Sequence, residues 1–355
     1  MTSHLIATPP SRFALLLAAL RATKHTTPAQ LSHWSVPPPA TGIEEARAAL
    51  QRLIDADCRA PARKGEPNTA ALKRDMALDL EARLRSSAGC IDARTLEAAH
   101  RLASLDMSDR AAFASYVGIV THANAGVLQR LRAALTAHVV MHLSCAARIE
   151  RANASCDSFA VAQAQGVSQV IVVGSADTHV FEFDAERGVL TVPAPDTYEH
   201  LPAKVIGAMF LFALCGNVAA VLKVDDDHRL RDVRQLVRGF ARAARQRYPV
   251  QMGKRNNIGV LGNHLRVWHF GKCADPTLNP RPFTLPGTTR WINGASGYFV
   301  NQAALRLLFW SHIYFPDYIR IGLYEDMTVS DLLERQGARL LSADMSRALA
   351  ATGQY

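Results

Sequence analysis

Three short runs decide the fold class: residues 138–144 (HVVMHLS), 168–174 (SQVIVVG) and 219–224 (AAVLKV). Each has the length of a strand and is apolar at consecutive rather than alternate positions, as in a strand covered on both faces. Between the second and third lie a predicted hairpin over 180–192 and a long apolar helix over 201–215. Strands alternating with helices imply an open, largely parallel α/β sheet. In such a sheet the ligand site is expected at the carboxyl ends of the strands.

Before residue 137 the texture is different. The chain is rich in Ala, Arg and Leu, and apolar positions recur every three or four residues over 42–56, 69–85, 92–105 and 125–137, predicting helices. Pro37, Pro38 and Pro39 and the polar stretch 61–68 read as loops between them. Two units are expected: a helical region 1–137 and an α/β domain 138–355. With 49% hydrophobic and 20% charged residues among 355, the chain can bury a large core, which excludes intrinsic disorder. The N-terminal apolar run 13–20 (FALLLAAL) is too short to span a membrane, lies between Arg12 and Arg21, and lacks a small-residue cleavage site, so it reads as an ordinary helix. Six cysteines without any C-x-x-C spacing fit reduced cytoplasmic thiols better than a disulfide framework or a zinc site. Forty Lys and Arg against 31 Asp and Glu give +9, which favours an anionic partner: a nucleotide, a nucleic acid or an acidic lipid surface.

That total conceals an acidic feature. Asp225, Asp226 and Asp227 follow the third apolar run directly. Three successive carboxylates repel one another and are poor strand formers, so at the end of a buried strand they sit where a cation offsets the repulsion. Mg²⁺ and Mn²⁺ prefer such oxygen ligands and commonly bind through one or two carboxylates plus substrate phosphates. The triplet equally suits an acidic turn or a helix N-cap, because 230–245 reads as helical. Further on, 291–300 (WINGASGYFV) is a glycine-rich turn leading into a short strand and then a helix over 302–310. Its glycines permit close approach of the backbone to a ligand or a neighbouring strand. Glu325 and Asp326 then open a predicted helix running to Gln336.

Taken in order, 196–204 (DTYEHLPAK), Cys215, 222–227 (LKVDDD), 294–300 (GASGYFV) and 325–329 (EDMTV) resemble the β-1,3-galactosyltransferase family, which includes β-1,3-N-acetylglucosaminyltransferases and the Fringe enzymes. The resemblance extends over residues 138–345. It implies a GT-A fold, a Rossmann-like nucleotide-binding sheet continuous with an acceptor-binding part. It also implies inverting transfer of a hexose or N-acetylhexosamine from a UDP-sugar to a glycan acceptor hydroxyl, in a β-1,3 linkage and with Mn²⁺ (or Mg²⁺). By this resemblance Asp227 binds the metal that bridges the UDP phosphates, with Asp225 as a second metal residue. Asp225 and Asp226 face the ribose and the donor sugar or reach the metal through water, and Lys204 lies near the uracil or phosphates. Asp326 is the general base for the acceptor hydroxyl, and Trp291, Gly294, Ser296, Gly297 and Glu325 fall on the donor-sugar and acceptor side. A direct displacement of this kind needs one base and one metal ion, and no protein nucleophile.

The chain departs from the family pattern in three places. The early arginine signature is replaced by 146–151 (AARIER), which leaves Arg148 or Arg151 as the nucleotide contact. The late metal-binding His has no counterpart, since His312 precedes Asp326; water, His264 or His269 are the substitutes. His200 stands where the family has Asn. Without an anchor or lumenal-type cysteine pairing, the chain reads as a bacterial-type cytoplasmic enzyme, peripheral at the inner membrane face and acting on lipid-linked or surface glycans. Two other classes are set against this reading. One is an inactive family member serving as a binding module; the other is a basic nucleic-acid-binding protein, which charge alone supports. Nucleic acid is therefore not the expected partner.

Overall fold

The computed structural model describes residues 43–55, 69–86, 118, 120–178, 180–257, 265–266, 271–279, 283–284 and 290–351. The apolar run 13–20, the helix predicted over 92–105, His264 and His269 lie outside the described residues. Helices α1 (Ile43–Asp55), α2 (Thr69–Ser86) and α3 (Ala125–Ala134) come first. There follow β1 (His138–Leu143), α4 (Ile149–Ser158), α5 (Ala160–Gln163), β2 (Val167–Gly174), β3 (Glu182–Asp184), β4 (Val189–Val192), α6 (Leu201–Cys215) and β5 (Ala220–Asp225). The chain continues through β6 (His228–Leu230), α7 (Val233–Ala244), β7 (Val250–Gly253), β8 (Arg255–Asn257), β9 (Leu265–Arg266), β10 (Phe283–Thr284) and β11 (Arg290–Ile292). It ends with β12 (Tyr298–Asn301), α8 (Gln302–Tyr314), α9 (Pro316–Ile321), α10 (Glu325–Arg335), β13 (Arg339–Ser342) and β14 (Leu349–Ala351).

A mixed α/β architecture results, with an eight-stranded sheet in the order β13-β7-β12-β5-β1-β2-β4-β3. β1 pairs parallel with β2 and β5, β2 with β4, and β7 with β13. β12 and β3 are reversed, β3 closing the hairpin with β4. The consecutive apolar residues of the three central strands serve both faces. Val139, Met141 and Val221 join the cluster that holds α6, α8 and α10, whereas Val140, Leu222 and Val224 meet Leu236 and Phe240 of α7.

The segment Tyr198–Cys215, with a mean hydropathy of 1.2, has the length and composition of a membrane span. It carries the buried Lys204 and packs inside the first of these clusters, which accounts for its apolarity on all sides. Arg132 of α3 donates to the carbonyls of Leu214 and Cys215, capping the free end of α6. Leu128, Leu131 and Leu135, together with Leu50 of α1 and Leu80 of α2, join that same core.

The helix predicted over 230–245 begins later, at Val233, because 228–230 pairs antiparallel with β14. Its N-cap is Asp232, whose side chain accepts from the amides of Arg234 and Gln235 at 2.7 and 3.2 Å. The acidic triplet is therefore not the cap; it ends β5 and makes the turn into β6.

Under that turn lies His142 of β1, fully buried, with Nδ1 3.0 Å from Ser155 Oγ and Nε2 3.0 Å from Gln169 Oε1. Burial, opposed by the Gln169 contact, lowers its pKa to about 3. Because this folded value lies below the ordinary 6.5, the neutral ring stabilises the fold fully above pH 6.5. That stability is lost as pH falls toward 3, at up to about 1.4 kcal/mol per pH unit. Unfolding measured between pH 7 and pH 4 should record this loss, and His142→Gln should flatten it; an acid limb unchanged in the variant refutes the assignment.

Candidate active site at the strand ends

The carboxyl ends of β1, β2 and β5 and the amino end of the reversed β12 share one edge of the sheet, and the acidic residues gather there. Asp225 is the last residue of β5 and is half-buried, the five residues before it in the strand being buried. Asp225, Asp227 and His228 each offer one ligand atom, all within 4.8 Å of one another. His228 is buried, and its Nδ1 accepts from the Asp225 amide at 3.2 Å and lies 3.4 Å from Asp227 Oδ1. The contact with the His228 ring holds the Asp227 carboxyl below its usual pKa, over the opposing effect of burial; the charge of Arg151 acts in the same direction. Two carboxylates and one imidazole are a donor set suited to a divalent ion of the Mn²⁺ kind.

Asp226 turns away from this group. It is 4% exposed, accepts from Ser144 Oγ at 2.8 Å and pairs with the guanidinium of Arg151, tying the turn to the end of β1. Of the two arginines considered from sequence, Arg151 is the one brought to the triplet, while Arg148 is exposed just ahead of α4. Lys204 is 1% exposed, and its ammonium donates to Asp196 Oδ1 at 2.7 Å and to the Ser144 carbonyl at 3.0 Å. Asp196 also accepts from the amides of Gly174 and Ala146 at 2.9 and 2.6 Å. Through Asp196 and the Ser144 carbonyl, Lys204 thus fastens the ends of β1 and β2 together. His200 adjoins this knot, its Nδ1 2.7 Å from Thr197 Oγ1.

The second acid pair comes to the same place from α10. Residues two apart on a strand share a face, so Lys223 and Asp225 both point toward the side on which α10 packs. The Lys223 ammonium, 2% exposed, lies 2.7 Å from Asp225 Oδ1 and 3.1 Å from Glu325 Oε2. Burial alone would lower its pKa, but Asp225 and Glu325 together raise it, so it stays charged. Glu325 is 6% exposed and also accepts from the Tyr298 hydroxyl, which encloses it. Asp326 is half-buried and accepts from the Gly294 amide at 2.9 Å and from the Met327 amide at 2.9 Å. Burial raises both carboxyl pKa values, against the lowering effect of Lys223.

The glycine-rich turn makes room for these acids. A Cβ at Gly294 would lie 2.9 Å from Asp326 Cβ, 3.0 Å from Glu325 Oε2 and 3.3 Å from Lys223 Nζ. Gly297 has φ +72° and lies against the Lys223 carbonyl. Ser296 lies in the turn, its hydroxyl 3.3 Å from Asn293 Oδ1, and Trp291 is buried with Tyr324 and Met327 beneath the acid pair. Gly294→Ala should cost about 1–3 kcal/mol in urea unfolding through overpacking. Wild-type stability in that variant would show that the acids have slack.

Sequence reasoning missed His228, Lys223, Ser144, Tyr298 and Tyr198. Tyr198 is half-buried, and its hydroxyl pKa is raised first by burial and then by Asp326, Cys273, Asp225 and Glu325. Lys272 Nζ stands 5.6 Å from the centroid of its ring, and Glu199 beside it accepts from the amides of Ala274 and Asp275. The K-x-D spacing and the His following the third Asp were the available signals.

No protein-family model and no curated protein sequence matches this chain. Among solved structures it is similar to galactosyltransferase LgtC, solved in complex with donor and acceptor sugar analogues. The identity is 11% and the TM-score 0.35, over 58% of this chain and 73% of that one, a likeness too slight to argue from.

Proposed function

We propose that the chain is a metal-dependent inverting glycosyltransferase that moves a hexose or N-acetylhexosamine from a UDP-sugar to a glycan hydroxyl. One observation carries this reading: Lys223 joins the Asp225–Asp227–His228 group to the Glu325–Asp326 pair at the strand-end edge of an α/β sheet, where ligands are expected in such folds. The UDP-sugar, the β-1,3 linkage and the GT-A assignment rest on the motif resemblance.

Asp225, Asp227 and His228 would hold the divalent ion, which supplies Lewis-acid neutralisation of a diphosphate leaving group. Asp326 takes the proton of the attacking hydroxyl. Each of its oxygens accepts one backbone N–H, leaving a lone pair free, and burial makes it a stronger base than a solvated carboxylate. Glu325 stays behind it, engaged by Lys223 and Tyr298, and is not the base. Arg151 and Ser144 fix Asp226, and through it the turn that carries Asp227.

Isothermal titration of UDP with and without Mn²⁺ tests the reading. Binding should require the ion, and a panel of UDP-sugars should then reveal the donor through metal-dependent hydrolysis. Metal-independent binding, or none, would sink the proposal.

A further inference from the structure

The outer face of α7 bears a row of arginines. Arg234, Arg238, Arg242 and Arg245 are all exposed, and at 100° per residue they fall within an arc of about 80° over a length of about 16 Å. The opposite face, Leu236, Phe240 and Ala243, is buried against the sheet. Arg231 and Arg247 extend the row at either end and are also exposed. Arg231 donates to the Ser346 carbonyl at 3.3 Å. After the cap Asp232, the sequence has no acid before Asp275. No ion pair among the described residues engages Arg234, Arg238, Arg242, Arg245 or Arg247. A folded surface ordinarily intersperses the two signs, whereas like charges four apart on a helix repel one another.

We infer that this face docks the protein on an anionic phospholipid bilayer. Charge complementarity selects a polyanion, and the setting of the helix selects a flat one. α7 lies flush on the sheet over Phe299, with its apolar side used up in the core, so it cannot enter a nucleic-acid major groove about 12 Å wide, which needs a protruding helix. A straight row of guanidinium groups meets a plane of headgroup phosphates, each fork bonding an oxygen pair. With no free apolar face, α7 holds the surface by charge alone, without insertion. The row starts at Arg231, three residues from His228, so at most about 10 Å of chain separates it from the acidic site.

The test uses the full chain with two kinds of vesicle: phosphatidylcholine alone, and phosphatidylcholine with about a third phosphatidylglycerol. Co-sedimentation is expected with the anionic vesicles alone and should fade as salt rises. The combined variant Arg234→Gln, Arg238→Gln and Arg242→Gln should lose roughly fivefold per charge, about a hundredfold in all, while its melting temperature and UDP binding stay as in the parent. Lys at the same three positions should restore binding. Equal binding to both vesicles, an unaffected triple Gln variant, or stronger binding to a duplex oligonucleotide than to anionic vesicles overturns the inference. Because UDP binding is read separately, failure here leaves the transferase proposal standing.

Discussion

Asp326→Asn is expected to lower kcat by a factor of about 10²–10⁴, the usual contribution of a positioned base, while UDP affinity stays nearly unchanged. The amide is nearly isosteric, so it keeps an oxygen for one of the two backbone amides that Asp326 now binds, but it cannot accept a proton. Because burial raises the Asp326 pKa, kcat/KM should fall with decreasing pH through a value above the ordinary carboxylate range. The residual activity of the variant should lack that limb. If UDP binding is lost along with activity, Asp326 is a binding residue and its assignment as base fails.

The second large effect concerns the β5–β6 turn. Asp227→Ala is expected to abolish metal-dependent UDP binding, because it removes a carboxylate kept ionised by His228 and Arg151. His228→Gln should shift half-saturation by Mn²⁺ upward, because it removes the imidazole from the three-residue donor set. Asp226→Asn provides the contrast. Its side chain faces Ser144 and Arg151, so the variant should lose thermal stability while Mn²⁺ dependence is largely retained. A larger Mn²⁺ shift in Asp226→Asn than in Asp227→Ala would reverse the roles given to the two residues.

The strands of the sheet centre were legible because burial on both faces leaves a consecutive apolar run, and 138–144, 168–174 and 219–224 each fall within a residue of the observed β1, β2 and β5. β7, β13 and β14 were not. They are three or four residues long and owe their conformation to partners distant in the chain, a contribution that local periodicity does not record. The same reason explains the late start of α7: 228–230 would continue a helical pattern, but pairing with β14 takes it. At the site, the residue types were legible and their division of labour was not. Three successive aspartates look alike in sequence; the turn sends Asp225 and Asp227 toward His228 and Asp226 toward Arg151. Lys204 likewise stood out as a cation for a phosphate, and its pairing with Asp196 depends on α6 crossing behind β2.

The register of β12 sets one further property. Tyr298 is the cross-strand partner of Lys223, so the phenol that holds Glu325 and the ammonium that holds both acids are placed by the same ladder. A one-residue slip would turn Tyr298 to the opposite face and break that link. The acid cluster is therefore assembled during folding, together with the sheet, and needs no substrate to form it. Mutations that weaken β12 should therefore reduce the fraction of competent molecules rather than the rate of each.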